Sequence, residues 1–343
     1  MRQAFKTEFN PEDLEKFRKG NFTRISTFKD LIDSYREYAP TINKGRIKLG
    51  FPSIDNYLRI TPSDNILVMA KTSGKKTTFG RNVALANHES LKDRIIVVFS
   101  LELLEPDEAE RYLSNILDMP TEVLEKRFAE GDIETIEKAY ELSGKHDNIV
   151  TITDTIDVAD IIPFIMYIEQ LTEKSVGLVI VDYAQLVEDS QYIDEFKAMA
   201  AIAKKFKKIN MALRKNFILI SQVGRESAKN KDGLDMFSAK GSGNFENSTQ
   251  IALSLEMPDP TDIRVDKETK QTIFPFGIHQ QEIVDLINQY HYLEFHTLNI
   301  RKKKKYYMGV PKPTCIIQYN ATNLRMTEFE PKYIKPPDLN NPF

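Results

Sequence analysis

VMAKTSGKKTTFG, Val68 to Gly80, follows an apolar strand pattern and precedes a helical one. It nearly spells the phosphate-binding pattern G-x-x-x-x-G-K-[ST], in which a glycine stands directly before the essential lysine. With Lys76 as that lysine and Thr77 as the metal-side hydroxyl, Ala70 and Lys75 occupy the glycine positions, and Gly74 comes one place early. Glycine before the lysine lets the backbone pass close to phosphate at unusual dihedrals. A lysine there costs about 1–3 kcal/mol if its φ is positive, yet adds a charge that phosphate attracts. The stretch reads as a variant phosphate loop or as a lysine-rich turn. The first reading requires the Lys75 backbone to form the phosphate nest, with its side chain toward solvent or the γ-phosphate.

The surrounding pattern favours the first reading. Apolar runs at 65–70, 94–102, 148–153, 176–183, 216–222 and 250–256 are Val/Ile/Leu-rich and nearly continuous, as in strands buried on both faces. Helical patterns lie between most of them, at 77–90, 105–118, 121–143, 157–173 and 194–214. Such alternation implies right-handed crossovers and an α/β fold with a mostly parallel sheet covered on both sides. After Glu256 a polar stretch reads as a surface loop or insertion. LEFHTLNIRKK, TCIIQYNA and LRMTEFE then read as antiparallel edge strands. Upstream, residues 1–45 carry helical patterns at Asn10 and at Ser26, the second placing Phe28, Leu31, Ile32 and Tyr35 on one face. That face packs on its own domain or on a neighbouring subunit. The domain reading is a helical linker or subunit-exchange segment at 1–45, an α/β domain at 46–330 and a proline-rich tail at 331–343.

In a parallel sheet, ligands bind at the carboxyl ends of the strands. Asp182 ends VGLVIVD there and suits a magnesium-side acid, although such an aspartate also serves as a helix N-cap. Glu102, past IIVVFS, suits a general base that orients water, or a helix N-terminal charge. Gln222 ends FILISQ, where an amide near the γ-phosphate senses hydrolysis.

Bulk properties narrow the classes. The chain has 343 residues, a net charge of −3 and one cysteine, Cys315, so no internal disulfide framework is available and a reducing compartment fits. No apolar run approaches the ~20 residues that cross a bilayer, and the start has no apolar h-region, so neither a membrane span nor a secretory signal is expected. Nucleic-acid contacts would have to come from local basic patches. GRESAKNKDGLDMFSAKGSG offers Arg225, Lys229 and Lys240, with Gly241 and Gly243 beside the last. Lysine and glycine-exposed amides grip a phosphate chain without reading its bases. NIRKKKK crowds Arg301 with lysines, either as a charged strand edge or as a cation offered to a neighbour's nucleotide.

In order along the chain, KLGFPSIDNYL, AKTSGKKTTF, FSLELLEPDEAERYL, VIVDYAQL, LISQVGRES, AKGSGNFENSTQIAL and NIRKKKK resemble the C-terminal ATPase domain of DnaB-like replicative DNA helicases, a RecA-like P-loop NTPase fold. The resemblance covers roughly residues 45–329. It implies that Lys75, Lys76, Thr77, Thr78 and Asp182 bind ATP with Mg²⁺, the metal on Thr77 and Asp182, and that Glu102 is the catalytic base. It implies that Arg301 is an arginine finger entering a neighbour's site. Arg225, Lys229, Lys240, Gly241 and Gly243 would meet single-stranded DNA. It further implies a cytoplasmic homo-hexamer, in a bacterium or a phage-infected host, with a primase or helicase loader as partner. The family pattern has glycine where Lys75 stands and a basic residue where Asn299 stands. These differences keep open a second reading, a RecA-like nucleotide- or DNA-binding scaffold with little turnover.

Overall fold

The computed structural model describes residues 27–41, 46–191, 195–223, 248–265, 270–303, 313 and 315–330. Its elements are α1 (Phe28–Tyr38), α2 (Pro52–Leu58), β1 (Asn65–Ala70), α3 (Lys76–Asn87), β2 (Ile95–Ser100), α4 (Glu105–Leu117), α5 (Thr121–Ala129), α6 (Ile133–Lys145), β3 (Ile149–Ile152), α7 (Ile161–Thr172) and β4 (Val176–Asp182). Then follow α8 (Glu195–Leu213), β5 (Asn216–Gln222), β6 (Ile251–Glu256), the hairpin β7 (Arg264–Val265) and β8 (Thr272–Ile273), α9 (Gln280–Gln289), β9 (Leu293–Lys302), β10 (Cys315–Asn320) and β11 (Arg325–Glu328).

One nine-stranded sheet runs β11-β10-β9-β6-β1-β5-β4-β2-β3. The pairs from β6 to β3 are parallel, and β9, β10 and β11 pair antiparallel as an arm on the β6 side. Alternating side chains on each strand feed two cores. Ile66, Val68 and Ala70 of β1 pack with Phe51, Phe79 and Val83 on one face. Leu67 and Met69 pack with Ile161, Ile165, Phe206 and Phe217 on the other. This double burial explains why the strands read as continuous apolar runs.

Three expectations change. The run at 148–153 is not doubly covered: β3 is the edge strand and all its residues are half-buried. The single helix expected over 121–143 is two, because Gly131 turns at φ 70° and Asp132 then caps α6 by accepting from the Thr135 amide. The insertion at 257–292 is more than a surface loop: beyond its polar first part, α9 buries Ile283 among Phe276, Leu293, Phe295 and Ile316, roofing the antiparallel arm.

Helix α1 starts at Thr27 rather than Ser26, with a reciprocal capping box to Asp30. None of its residues is buried, and Phe28 and Tyr35 are 78% and 65% exposed. Its apolar face covers nothing among the described residues. Residues 1–26 and the tail from 331 lie outside the described residues.

Candidate nucleotide site

The loop between β1 and α3 lies at the carboxyl edge of the parallel strands. Lys75 is the N-cap residue of α3 and has left-handed backbone, φ 57° and ψ 31°. Its carbonyl accepts the first helical bond, from the Phe79 amide at 2.9 Å. The amides of the following first turn have no intrahelical acceptor, and the helix dipole adds positive potential where they point. The position that glycine fills in the usual pattern thus keeps glycine-like backbone here.

Gly74 has a separate job. Its amide donates to the Lys71 carbonyl at 3.0 Å, closing a turn, and a Cβ at this position would stand 2.8 Å from that same oxygen. The early glycine is required by close backbone approach, and Lys75 carries the positive φ.

The Lys75 side chain is half-buried and engaged on the antiparallel arm rather than left in open solvent. Its Nζ lies 3.1 Å from Glu294 Oε1 and 4.7 Å from the centre of the Tyr319 ring, on the antiparallel arm. Lys76 is 8% exposed, with Nζ 3.3 Å from the Lys71 carbonyl oxygen. Burial lowers its pKa, and the nearby carboxylates of Asp182 and Glu102 pull it back up. Thr77 is half-buried beside Asp182, and Thr78 is buried in the next position of the helix.

Asp182 closes β4, 2% exposed, and neither carboxyl oxygen has a hydrogen-bond partner. Burial pushes it up to about 6, although the Thr77 hydroxyl and the Arg81 guanidinium hold it down in part. Thr77 is close enough to act electrostatically without reaching hydrogen-bond geometry. A buried carboxyl with both oxygens orphaned, beside a hydroxyl and a buried ammonium, fits a hard cation and a polyphosphate. Glu102 lies just past β2, exposed, and near enough to raise the pKa of both Lys76 and Asp182. Gln222 reaches the loop directly, its Nε2 donating to Thr72 Oγ1 at 2.7 Å.

Other residues of the site had no reading in the sequence. Arg81 on α3 makes a two-point pair with buried Glu108 on α4, with Nε 3.0 Å from Oε1, and Ser100 at the end of β2 also donates to that carboxylate. The pair sits behind Asp182 and biases its charge. Gln185 joins the ends of β4 and β5: its Nε2 donates to Ser221 Oγ at 2.8 Å, and its Oε1 accepts from the Gln222 amide at 3.1 Å.

Arg301 is engaged within its own chain. Its Nε donates to Ser254 Oγ at 2.8 Å and its Nη2 lies 2.6 Å from Glu256 Oε1, on neighbouring β6. Asn299 donates to the same Glu256 oxygen at 3.2 Å. Arg225, Lys229, Lys240, Gly241 and Gly243 lie outside the described residues. Among the described residues no helix is long and apolar enough to cross a membrane.

Comparison with known proteins agrees with this geometry. No curated protein matches the chain by sequence. Among solved structures, the ATPase domain of G40P is similar with a TM-score of 0.67 at 17% identity, covering 90% of this chain and 100% of that one. A DnaB-like replicative helicase, solved in a study of its interactions with primase, is similar with a TM-score of 0.65 at 17% identity, covering 90% of this chain and 68% of that one. These likenesses place the sheet and its helices in the RecA-like ATPase fold. The family model described as the DnaB-like helicase C terminal domain matches residues 46–288, more than half of the chain, and the protein belongs to that family.

Proposed function

We propose that this chain is an ATP-driven motor that assembles as a ring, a hexamer, and moves along single-stranded DNA. The observation that carries this reading is the orphaned, buried Asp182 carboxyl beside Lys76 and Thr77, at the mouth of a loop whose backbone keeps the phosphate-nest conformation.

Thr77 and Asp182 would hold the magnesium ion, which neutralises charge on the phosphoryl oxygens. Lys76, buried and turned into the loop toward the Lys71 carbonyl, would meet the phosphates and supply positive charge to them. Glu102 is exposed at the strand edge, where it can take a proton from an attacking water. Gln222 links the loop to the chain that leaves β5, through Thr72 on one side and Gln185 on the other. A change at the phosphates is thereby passed to the segment with Arg225, Lys229, Lys240, Gly241 and Gly243, which would grip the DNA backbone. Arg301 acts on the neighbour's nucleotide and must first leave Glu256. The apolar face of α1 docks on the adjacent subunit. A primase or helicase loader would meet the assembled ring.

Steady-state ATP hydrolysis, with and without single-stranded DNA, tests this reading. Turnover stimulated by DNA and lost in both Glu102→Gln and Lys76→Ala is the expected result. Turnover no higher than in those variants, in folded oligomeric protein, would replace the motor with a nucleotide-binding scaffold.

A further inference from the structure

Lys75 and Lys76 are adjacent cations with opposed directions. Lys76 turns into the loop, toward the Lys71 carbonyl and Asp182. Lys75 turns away, onto Glu294 of β9 and Tyr319 of β10. Glu294 and Tyr319 face each other directly across the antiparallel pair, so the arm offers a carboxylate and an aromatic face side by side.

The acid has a second neighbour. His296, fully buried on the same strand, brings Nε2 to 3.5 Å from Glu294 Oε2, and its ring meets Tyr319 edge-on at 6.2 Å. His296 first, and Lys75 after it, hold the Glu294 carboxyl below the usual range against its partial burial. A lysine at an exposed turn samples many rotamers; this one meets an ion pair and a cation–π contact at once.

We propose that Glu294 and Tyr319 are positioning residues for the phosphate loop: by clamping the Lys75 side chain they hold its left-handed backbone at the start of α3 and keep its ammonium out of the space that the phosphates enter. Glycine needs no such help, because it visits positive φ freely. A lysine in the same conformation pays for it in steric strain, and the clamp offsets that strain through contacts glycine could not make. The proposal rests on the reading of this loop as a nucleotide site.

Equilibrium binding of a fluorescent ADP with Mg²⁺, together with KM and kcat for ATP, tests it on the full chain. Glu294→Gln removes the charge and keeps the shape. Binding is expected to weaken by about threefold to fivefold, the range of a partly exposed ion pair. KM should rise alike while kcat stays unchanged. Glu294→Lys, which sets a cation against Lys75, should weaken binding further. In a Lys75→Gly background, Glu294→Gln should add nothing.

Equal or tighter binding in Glu294→Gln overturns the clamp and makes Lys75 a phosphate ligand that Glu294 restrains. A loss that persists in the Lys75→Gly background also overturns it. Lys76→Ala separates the two layers of the argument: it should lose nucleotide whether or not the clamp exists. If it binds as tightly as the unmodified chain, the site reading and the clamp fall together.

Discussion

Replacing Asp182 by asparagine removes a charge whose burial in the fold is unfavourable. Burial moves this carboxyl from the ordinary 3.8 to about 6. At 1.36 kcal/mol per tenfold in the proton equilibrium, that difference is worth about 3 kcal/mol. The sign follows from proton counting. The unfolded chain gives up this proton near 3.8 and the folded chain keeps it to about 6, so between those values the folded state binds more protons. Stability from this group therefore falls as pH rises through that window, and the full deficit applies above it. Asparagine keeps the volume but leaves a buried amide short of partners, giving back about 1 kcal/mol. A net gain of about 2 kcal/mol remains, or about 3 °C in Tm for a chain of this length.

Thermal unfolding without nucleotide or divalent cation is the assay. At about pH 7.5 Asp182→Asn should melt above the unmodified protein, and at about pH 5 the advantage should shrink below about 1 kcal/mol, as the native carboxyl takes up its proton. Mg²⁺ with ATP should then raise the Tm of the unmodified protein and leave the variant almost unmoved, because only the carboxylate repays its burial on meeting a cation. ATP turnover should be lost in the same variant. A variant less stable than the parent at neutral pH, or an advantage that persists into acid, would refute the claim that this position stores unfavourable charge for a ligand.

Further substitutions probe other parts of the site. Gly74→Ala sets a Cβ 2.8 Å from the Lys71 carbonyl oxygen, so the loop must open; nucleotide binding should weaken by about fivefold to about a hundredfold for about 1–3 kcal/mol of backbone strain, read by titration with fluorescent ADP. Glu108→Gln leaves the buried Arg81 guanidinium without its charge partner, and denaturant unfolding should show a loss of about 3–5 kcal/mol. The double change Leu31→Ser with Ile32→Ser on α1 touches no core, so the Tm of the dissociated subunit should stay within about 0.5 kcal/mol of stability while sedimentation shows the ring lost; a destabilised subunit would put α1 on its own domain instead.

Much of the fold is legible because parallel strands buried on both faces cannot use the alternation of half-exposed ones. Continuous apolar runs therefore mark β1, β4 and β5 within a residue. The edge position of β3 is a fact of sheet order, which a local run does not encode. The site divides the same way. Asp182 and Gln222 stand at strand ends and Lys76 opens the helix that follows β1, so sequence position alone places them. Arg81 is different: it sits between buried Gly80 and Val83 on a helix face against the sheet. An arginine there signals a buried acid, but nothing in ELLEPDE says that the acid is Glu108 rather than Glu105 or Asp107. That choice belongs to the packing of α4 across α3.

The two departures from the family pattern look unrelated along the chain, and the fold gives them a common surrounding. Lys75 stands where glycine is usual, and Glu294 on β9 takes its charge. Asn299, on the same strand, stands where a basic residue is usual, and it donates to the Glu256 oxygen that also holds Arg301. A cation at 299 would compete for that single carboxylate. A neutral amide spends a hydrogen bond on it and leaves its charge to Arg301. Charge-assisted bonds are about twice as strong as neutral ones, so the arginine is held more firmly against its own β6 here than beside a basic neighbour. One strand thus touches the loop of its own site through Glu294 and carries, through Arg301, the cation proposed for the next. At each place a carboxylate within reach of the substituted residue carries the local charge: Glu294 meets Lys75, and Glu256 meets Arg301 with Asn299 beside it.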